Sequence, residues 1–383
     1  MKKLSFLLLS MLMVACGETY IIDPIPSQNK VITSNIKTNT TWYADTVYQL
    51  AGRIAVEEGA TLTIQPGTII KGEAGTGANA TALLIARGGK LMAEGTASLP
   101  IIFTSVADEI SPEDVAAGNF ASPNLDPNIN GLWGGVIVLG KAPISPKPDA
   151  AGEVTAVQIE GIPTSDQNGL YGGINTHDNS GVLSHISIRH GGANIGSGNE
   201  INGLTLGGVG MLTSIDNIEV VCNQDDGIEF FGGNVNVSYV VVWNVGDDAI
   251  DTDQSWGGEL NNFVIISPAD HCFELDGPEG SYAAGHLIQN GDIYVGTGKD
   301  LINVDANSIV DLKHLYFTDI PTTYSKINRV TAVGVTFEDI VLNVDTVANY
   351  VNGPVPSSVV AGQVHKANTS TLGWTWAKQA GKF

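Results

Sequence analysis

Between Gly191 and Gly298 the chain has no Lys and no Arg, although 16 Asp and Glu fall in that stretch. Over the whole chain 18 basic residues face 40 acidic ones, a formal net charge of −22. That balance argues against nucleic acid and anionic membrane as partners, because like charges repel. An anionic polysaccharide would be repelled too, unless a cation stood between. Cysteine is scarce, with only Cys16, Cys222 and Cys272. Cys222 and Cys272 lie about two repeats apart. Stacked layers would hold them roughly 9–10 Å apart, beyond disulfide reach. They read as small buried residues. Beyond the N-terminal segment no apolar run approaches membrane-spanning length. No long segment shows helical periodicity either.

What is present is a beat. Asp226-Gly227-Ile228-Glu229, Asp248-Ala249-Ile250-Asp251 and His271-Cys272-Phe273-Glu274 recur at offsets of 22 and 23 residues. A fainter copy, Asn202-Gly203-Leu204-Thr205, sits 24 residues upstream. A strand motif keeps the same time: Ile215-x-x-Ile218-x-Val220, Val237-x-x-Val240-x-Val242 and Leu260-x-x-Phe263-x-Ile265. Leu183-x-x-Ile186-x-Ile188 and Leu312-x-x-Leu315-x-Phe317 extend it. Two or three short strands per repeat of this length predict one coil of a parallel β-helix. Equivalent residues of successive coils then stack about 4.8 Å apart. Ile228, Ile250 and Phe273 become an interior ladder.

The N-terminus reads as an export signal. Lys2 and Lys3 precede the apolar run Leu4 to Leu12, and Met13-Val14-Ala15-Cys16 resembles a bacterial lipobox. The expectation is a signal peptide over residues 1–15, lipidation of Cys16, and outer-membrane localisation, with the membrane face, cell surface or periplasm, left open by the sequence. Acyl chains on Cys16 would provide the membrane contact. Removing Lys2 and Lys3 takes the formal charge from −22 to −24. Residues 16–40 are expected to combine tether and N-cap, residues 41–350 to form the helix, and residues 351–383 to form a C-terminal cap. In that cap Trp374 and Trp376 would cover the last coil.

In the N-terminal half the coils are shorter. Val56 to Ile70 and Leu83 to Thr96 are two of them, followed by Pro100-Ile101-Ile102-Phe103-Thr104-Ser105 and by Gly131-Leu132-Trp133-Gly134-Gly135-Val136-Ile137-Val138-Leu139-Gly140. These segments resemble a family of bacterial surface β-helix lipoproteins in the pectin-lyase-like group. The resemblance covers roughly residues 40–383. It implies an all-β fold, a right-handed parallel β-helix of about ten coils; the handedness comes from the resemblance. Val106 to Asn130 and Ser145 to about Asp178 are rich in Pro, Asn, Asp and Gly. They read as two long insertions leaving the solenoid, of the kind that serve as lids or contacts.

By strand alternation Ile250 points inward and Asp251 outward. Glu229, Asp251 and Glu274 therefore form one outward column below Thr205. Asp226, Asp248 and His271 form a second, and Phe231, Asp253 and Asp276 a third. Carboxylates 4.8 Å apart repel by roughly 3–4 kcal/mol at an effective dielectric near 20. Either a divalent cation sits among them or some carboxyls hold a proton. Calcium takes about 6–8 oxygens at roughly 2.3–2.6 Å, so Asp226, Glu229, Asp248, Asp251, Asp253, Glu274 and Asp276 are its candidate ligands. The alternative is Asp side chains capping their own turns.

A catalytic reading also exists. Asp226, Asp247, Asp248 and His271 in successive coils resemble the active-site order of polygalacturonases. The resemblance implies that the aspartates divide the acid and base work of an inverting glycosidase, with His271 holding geometry. The flanking glycines of the histidine and the Arg-x-Lys pair one coil later are absent; only Lys299 is near. A lyase mechanism needs a basic residue beside its calcium, and this face has none. Trp256 is a candidate for stacking on a sugar. His177, His185 and His190 show no metal-ligand spacing. The balance favours a non-catalytic envelope protein that binds a glycan or surface protein, or serves adhesion or structure, through an acidic, calcium-loaded face. A polysaccharide hydrolase and an accessory subunit of an outer-membrane uptake complex are the alternatives.

Overall fold

A computed structural model describes residues 28–383 except 197–198, 297 and 323–325. The export signal, Cys16 and the first part of the tether lie outside the described residues. The rest is a parallel β-helix built from two long sheets. The shorter sheet has eight strands, running from Arg53–Val56 through Ala82–Ile85, Val136–Leu139, Leu204–Gly207, Ile228–Phe231, Ile250–Asp253 and Phe273–Leu275 to Asn303–Val304. The longer, 15-stranded sheet begins with Gln28–Ile32 and ends with Val359–Ala361. Parallel pairing thus starts inside the predicted tether. The solenoid is right-handed, as parallel crossovers almost always are.

The motif with apolar residues at i, i+3 and i+5 has a geometric cause. In each of these coils the residue after the first half of the strand adopts positive φ: His185, Asn217, Tyr239, Asn262, Asn290, His314 and Asp339, all between 49° and 60°. That residue drops out of the pairing register, so Ser184 pairs with Asp216 and Ile186 with Ile218 while His185 is skipped. The strand turns a corner there. Apolar side chains spaced by three, such as Leu183 and Ile186, both reach the interior. Asn, Asp and His, which hold six of the seven positions, tolerate this conformation best. Gly291 replaces the usual aliphatic residue in its coil because a Cβ there would stand 2.2 Å from the Phe263 ring.

Ile228, Ile250 and Phe273 are fully buried in one core that runs the length of the solenoid. At its N-terminal end Trp42 stacks on Tyr48 with ring centroids 4.7 Å apart. At the other end Ile320, Val344, Val347 and Tyr350 pack against the core.

The tail corrects an expectation, because Trp374 and Trp376 do not cover the last coil. Residues 365–383 run back along the outside of the longer sheet as a strap. Lys366 N and Ala367 N donate to Asp292 Oδ1, Asn368 N to Asn262 Oδ1, and Ala377 N to Glu219 Oε1. Trp376 packs with Val221, Val241, Trp243 and Val264. Trp374 packs with Val47, Ile69 and Ile102. The outer face of that sheet is itself apolar, so covering it removes more surface from water than closing a coil whose end is already plugged.

Both insertions also fold down onto the solenoid. The first carries the short helix Pro112–Ala116, capped by Ser111, and buries Ile110, Val115 and Phe120 beside Trp374. In the second, Ile159, Ile162 and Tyr171 pack on Leu84, Ile137, Leu139 and Phe231 of the shorter sheet. Arg53 Nη2 pairs with Asp166 Oδ2 at 3.0 Å, and Tyr171 Oη donates to Gln254 Oε1 at 2.9 Å.

Candidate functional site

The register confirms the columns. Thr205 pairs with Glu229, Glu229 with Asp251, Asp251 with Glu274, and Glu274 with Asn303. Asp226, Asp248 and His271 each stand two residues before the inward Ile228, Ile250 and Phe273. Outward does not mean exposed, however. Asp226 and Glu229 are each only 7% exposed and Asp248 only 2%. The second insertion accounts for part of this, since its Ile159, Ile162 and Tyr171 cluster with Phe231 and its Glu160 lies near enough to Glu229 to act on its charge.

The seven predicted ligands do not form one centre. Asp226, Glu229 and Asp251 bring one oxygen each within 4.8 Å of one another. Asp225, Asp226 and Asp247 do the same, as do Asp248, Asp270 and His271. Asp253 and Asp276 lie apart, lining a cleft of about 430 Å³ with Lys147, Glu279, Asp305 and Asn307. Glu274 leans instead toward His271, 3.9 Å away, and accepts from Asn303 Nδ2.

The group around His271 is neutralised from within. Asp248 Oδ1 accepts from His271 N at 2.7 Å and lies 2.8 Å from its Nδ1. Lys299 Nζ meets Asp270 Oδ2 at 2.7 Å. Burial would raise Asp248, but hydrogen bonds from His271 and Glu274 outweigh it and hold that carboxylate below its ordinary range. Burial would lower His271, but its bond to Asp248 raises it to about 9. The imidazole is therefore protonated at neutral pH.

The group around Glu229 has no such relief. Among the described residues Asp226, Glu229 and Asp251 form no ion pair with Lys, Arg or His. Burial, then Asp251, Asp225 and Asp248, pushes Asp226 well above the usual carboxylate range. Burial followed by Asp251 and Asp226 does the same to Glu229. Burial with Glu274 and Asp248 does so for Asp251. Burial also lifts Asp247 to about 6, Asp253 to about 7, Glu274 to about 8 and Asp276 to about 6. The few donors are neutral: Asn202 Nδ2 bonds Glu229 Oε2, and Asp248 N bonds Asp226 Oδ1 at 2.9 Å. Asp251 Oδ1 and Asn202 Oδ1 are buried without a hydrogen-bond partner.

Three oxygens within 4.8 Å of one another fit around one calcium, whose bonds are about 2.3–2.6 Å long. The same closeness sits poorly with inverting hydrolysis, which keeps its two carboxyls roughly 6.5–9.5 Å apart to admit a water. Of the four catalytic candidates, Asp226 and Asp247 come together, while Asp248 and His271 are bound to each other. Trp256 is a correction. It is 1% exposed, stacks on Phe230 with centroids 4.0 Å apart, and donates Nε1–H to Val235 O. It is core, and no ligand can lie on it. Cys222 and Cys272 are separate buried thiols, and burial pushes Cys222 up to about 12.

Sequence reasoning passed over four participants. Asp225 and Asp270 stand at the position of Asp247, so the doublets Asp225-Asp226, Asp247-Asp248 and Asp270-His271 were a readable signal. Asn202 belonged to the faint copy, but its amide was not recognised as a partner of Glu229. Glu160 adds negative field at Glu229 and Asp253. It lies in an insertion, outside any repeat, so no spacing could have found it.

Residues 34–118 and 120–290 match the family model of the pectate-lyase-like beta helix domain, and the chain belongs to that family. The matched segments contain Asp226, Glu229, Asp248, Asp251, Asp253, Glu274 and Asp276. No curated protein matches the chain, and no solved structure does.

Proposed function

We propose that this pectate-lyase-like β-helix protein is a non-catalytic cell-envelope lipoprotein whose acidic face holds calcium and serves adhesion or the binding of a glycan or surface partner. The observation that carries the reading is the grouping of Asp226, Glu229 and Asp251, with oxygens within 4.8 Å and no basic side chain paired to them among the described residues. Three crowded like charges, two of them buried and the third half-buried, are tolerable only if they are protonated or share a cation. Calcium accepts carboxylate and amide oxygens together, and both are at hand. The anchor on Cys16 and the outer-membrane location rest on the lipobox alone.

Hydrolysis has less support. Asp248 is engaged by His271 on both its backbone and its ring, and the remaining aspartates stand close together. The test is calorimetric titration of the chelator-treated chain with calcium, paired with a thermal melt. Expected are a saturable heat and a melting temperature several degrees higher with calcium. No heat together with an unchanged melt would sink the reading.

A further inference from the structure

We infer that the cation at Asp226, Glu229 and Asp251 is an interior staple joining three successive coils, completed by the amide oxygen of Asn202, and is not presented to a ligand. The inference rests on the calcium reading and decides what the ion would do. Asn202 precedes the strand Leu204–Gly207, Asp226 and Glu229 belong to the coil of Ile228–Phe231, and Asp251 to Ile250–Asp253. One ion there would tie three neighbouring strands of one sheet.

Burial separates a staple from a docking ion. Asn202 is 1% exposed, Asp226 and Glu229 are each 7% exposed, and Asp251 is half-buried with its Oδ1 shielded from solvent. Asn202 Nδ2 already touches Glu229 and lies 3.4 Å from Thr205 Oγ1, which places the amide at the site. Its Oδ1 has no hydrogen-bond partner, and neither has Asp251 Oδ1. A buried amide oxygen left without a partner costs free energy unless something accepts its lone pairs. A cation among the same side chains would do so. With four protein oxygens in its shell of roughly 6–8, the ion would keep no more than about four waters.

Terbium, which replaces calcium at oxygen sites, tests this in the full chain. Its luminescence lifetime in water and in heavy water counts the waters it retains. Four protein oxygens of the roughly 6–8 positions leave an expected result of about four or fewer waters. About five or more retained waters, with calcium still binding, would overturn the staple and leave the cation reading standing. No calcium heat and no bound terbium would remove both. Asn202→Ala should weaken calcium about tenfold, in the range seen when a group supporting a metal site is lost. Asn202→Asp, which keeps an oxygen in place and guards against a simple folding defect, should bind at least as tightly as the parent. Equal weakening by both variants would also count against the assignment.

Discussion

Along the outer face of the shorter sheet, Leu84 and Ile137 lie beneath the second insertion, while Glu229, Asp251 and Glu274 continue the same face in later coils. The backbone is alike in both halves; only the side chains and their cover differ. The apolar half is finished by this chain's own Ile159, Ile162 and Tyr171. The acidic half carries several carboxyls pushed well above their ordinary range and two buried oxygens without partners. One half is complete as a protein interior, and the other leaves crowded carboxyls without a basic partner among the described residues.

Variants can break or sharpen this contrast. The largest effect should come from Trp256→Ala. A core Trp loses about 3–5 kcal/mol on truncation, so thermal or denaturant unfolding should show a large loss; an unchanged melt would return Trp256 to the surface. Tyr171→Ala should cost roughly 3 kcal/mol and free the second insertion from Gln254, so protease cleavage should appear within residues 145–178. If that segment stays resistant, Tyr171 is not what seals the apolar half.

Asp251→Asn should act in the opposite sense. It removes one of several facing like charges, so the calcium-free protein should gain up to about 1 kcal/mol, and the calcium response of the melt should disappear. The pH dependence should follow. Asp253 at about 7 and Glu274 at about 8 lie above their unfolded values, so the folded state binds more protons. Their stabilisation is fully present below the unfolded values near 4 and is lost as pH rises through about 7 and 8. Protonated His271, at about 9, adds in the same direction. Asp248, held low, opposes it only in acid. The calcium-free protein should thus melt higher at about pH 5 than at about pH 8.5, and calcium should narrow the gap. A melt that rises with pH would contradict the acidic half as described.

Much of this was legible from spacing. The offsets of 22 and 23 residues put Glu229, Asp251 and Glu274 in one column because each coil adds one strand to the sheet. They put Ile228, Ile250 and Phe273 in the interior for the same reason. The three-residue interval in the long strands was visible, but its cause, a left-handed corner at positions such as Asn217 and Asn262, was not. Asp225 and Asp270 were within reach of the same periodicity. Trp256 misled because Gly257 and Gly258 suggest a loop, yet its ring turns inward onto Phe230.

By itself the sequence determined the coil: its length, which residues alternate in and out, and which acids stack, because a repeating backbone converts spacing directly into contact. Only the tertiary structure decided what lies over each face. The insertions and the strap belong to no repeat, and they settle where apolar surface remains uncovered rather than at a fixed distance along the chain. That is why Trp374 lies against Ile69 and Ile102 and not over the last coil. It is also why the column that periodicity turned outward at Glu229 ends up buried.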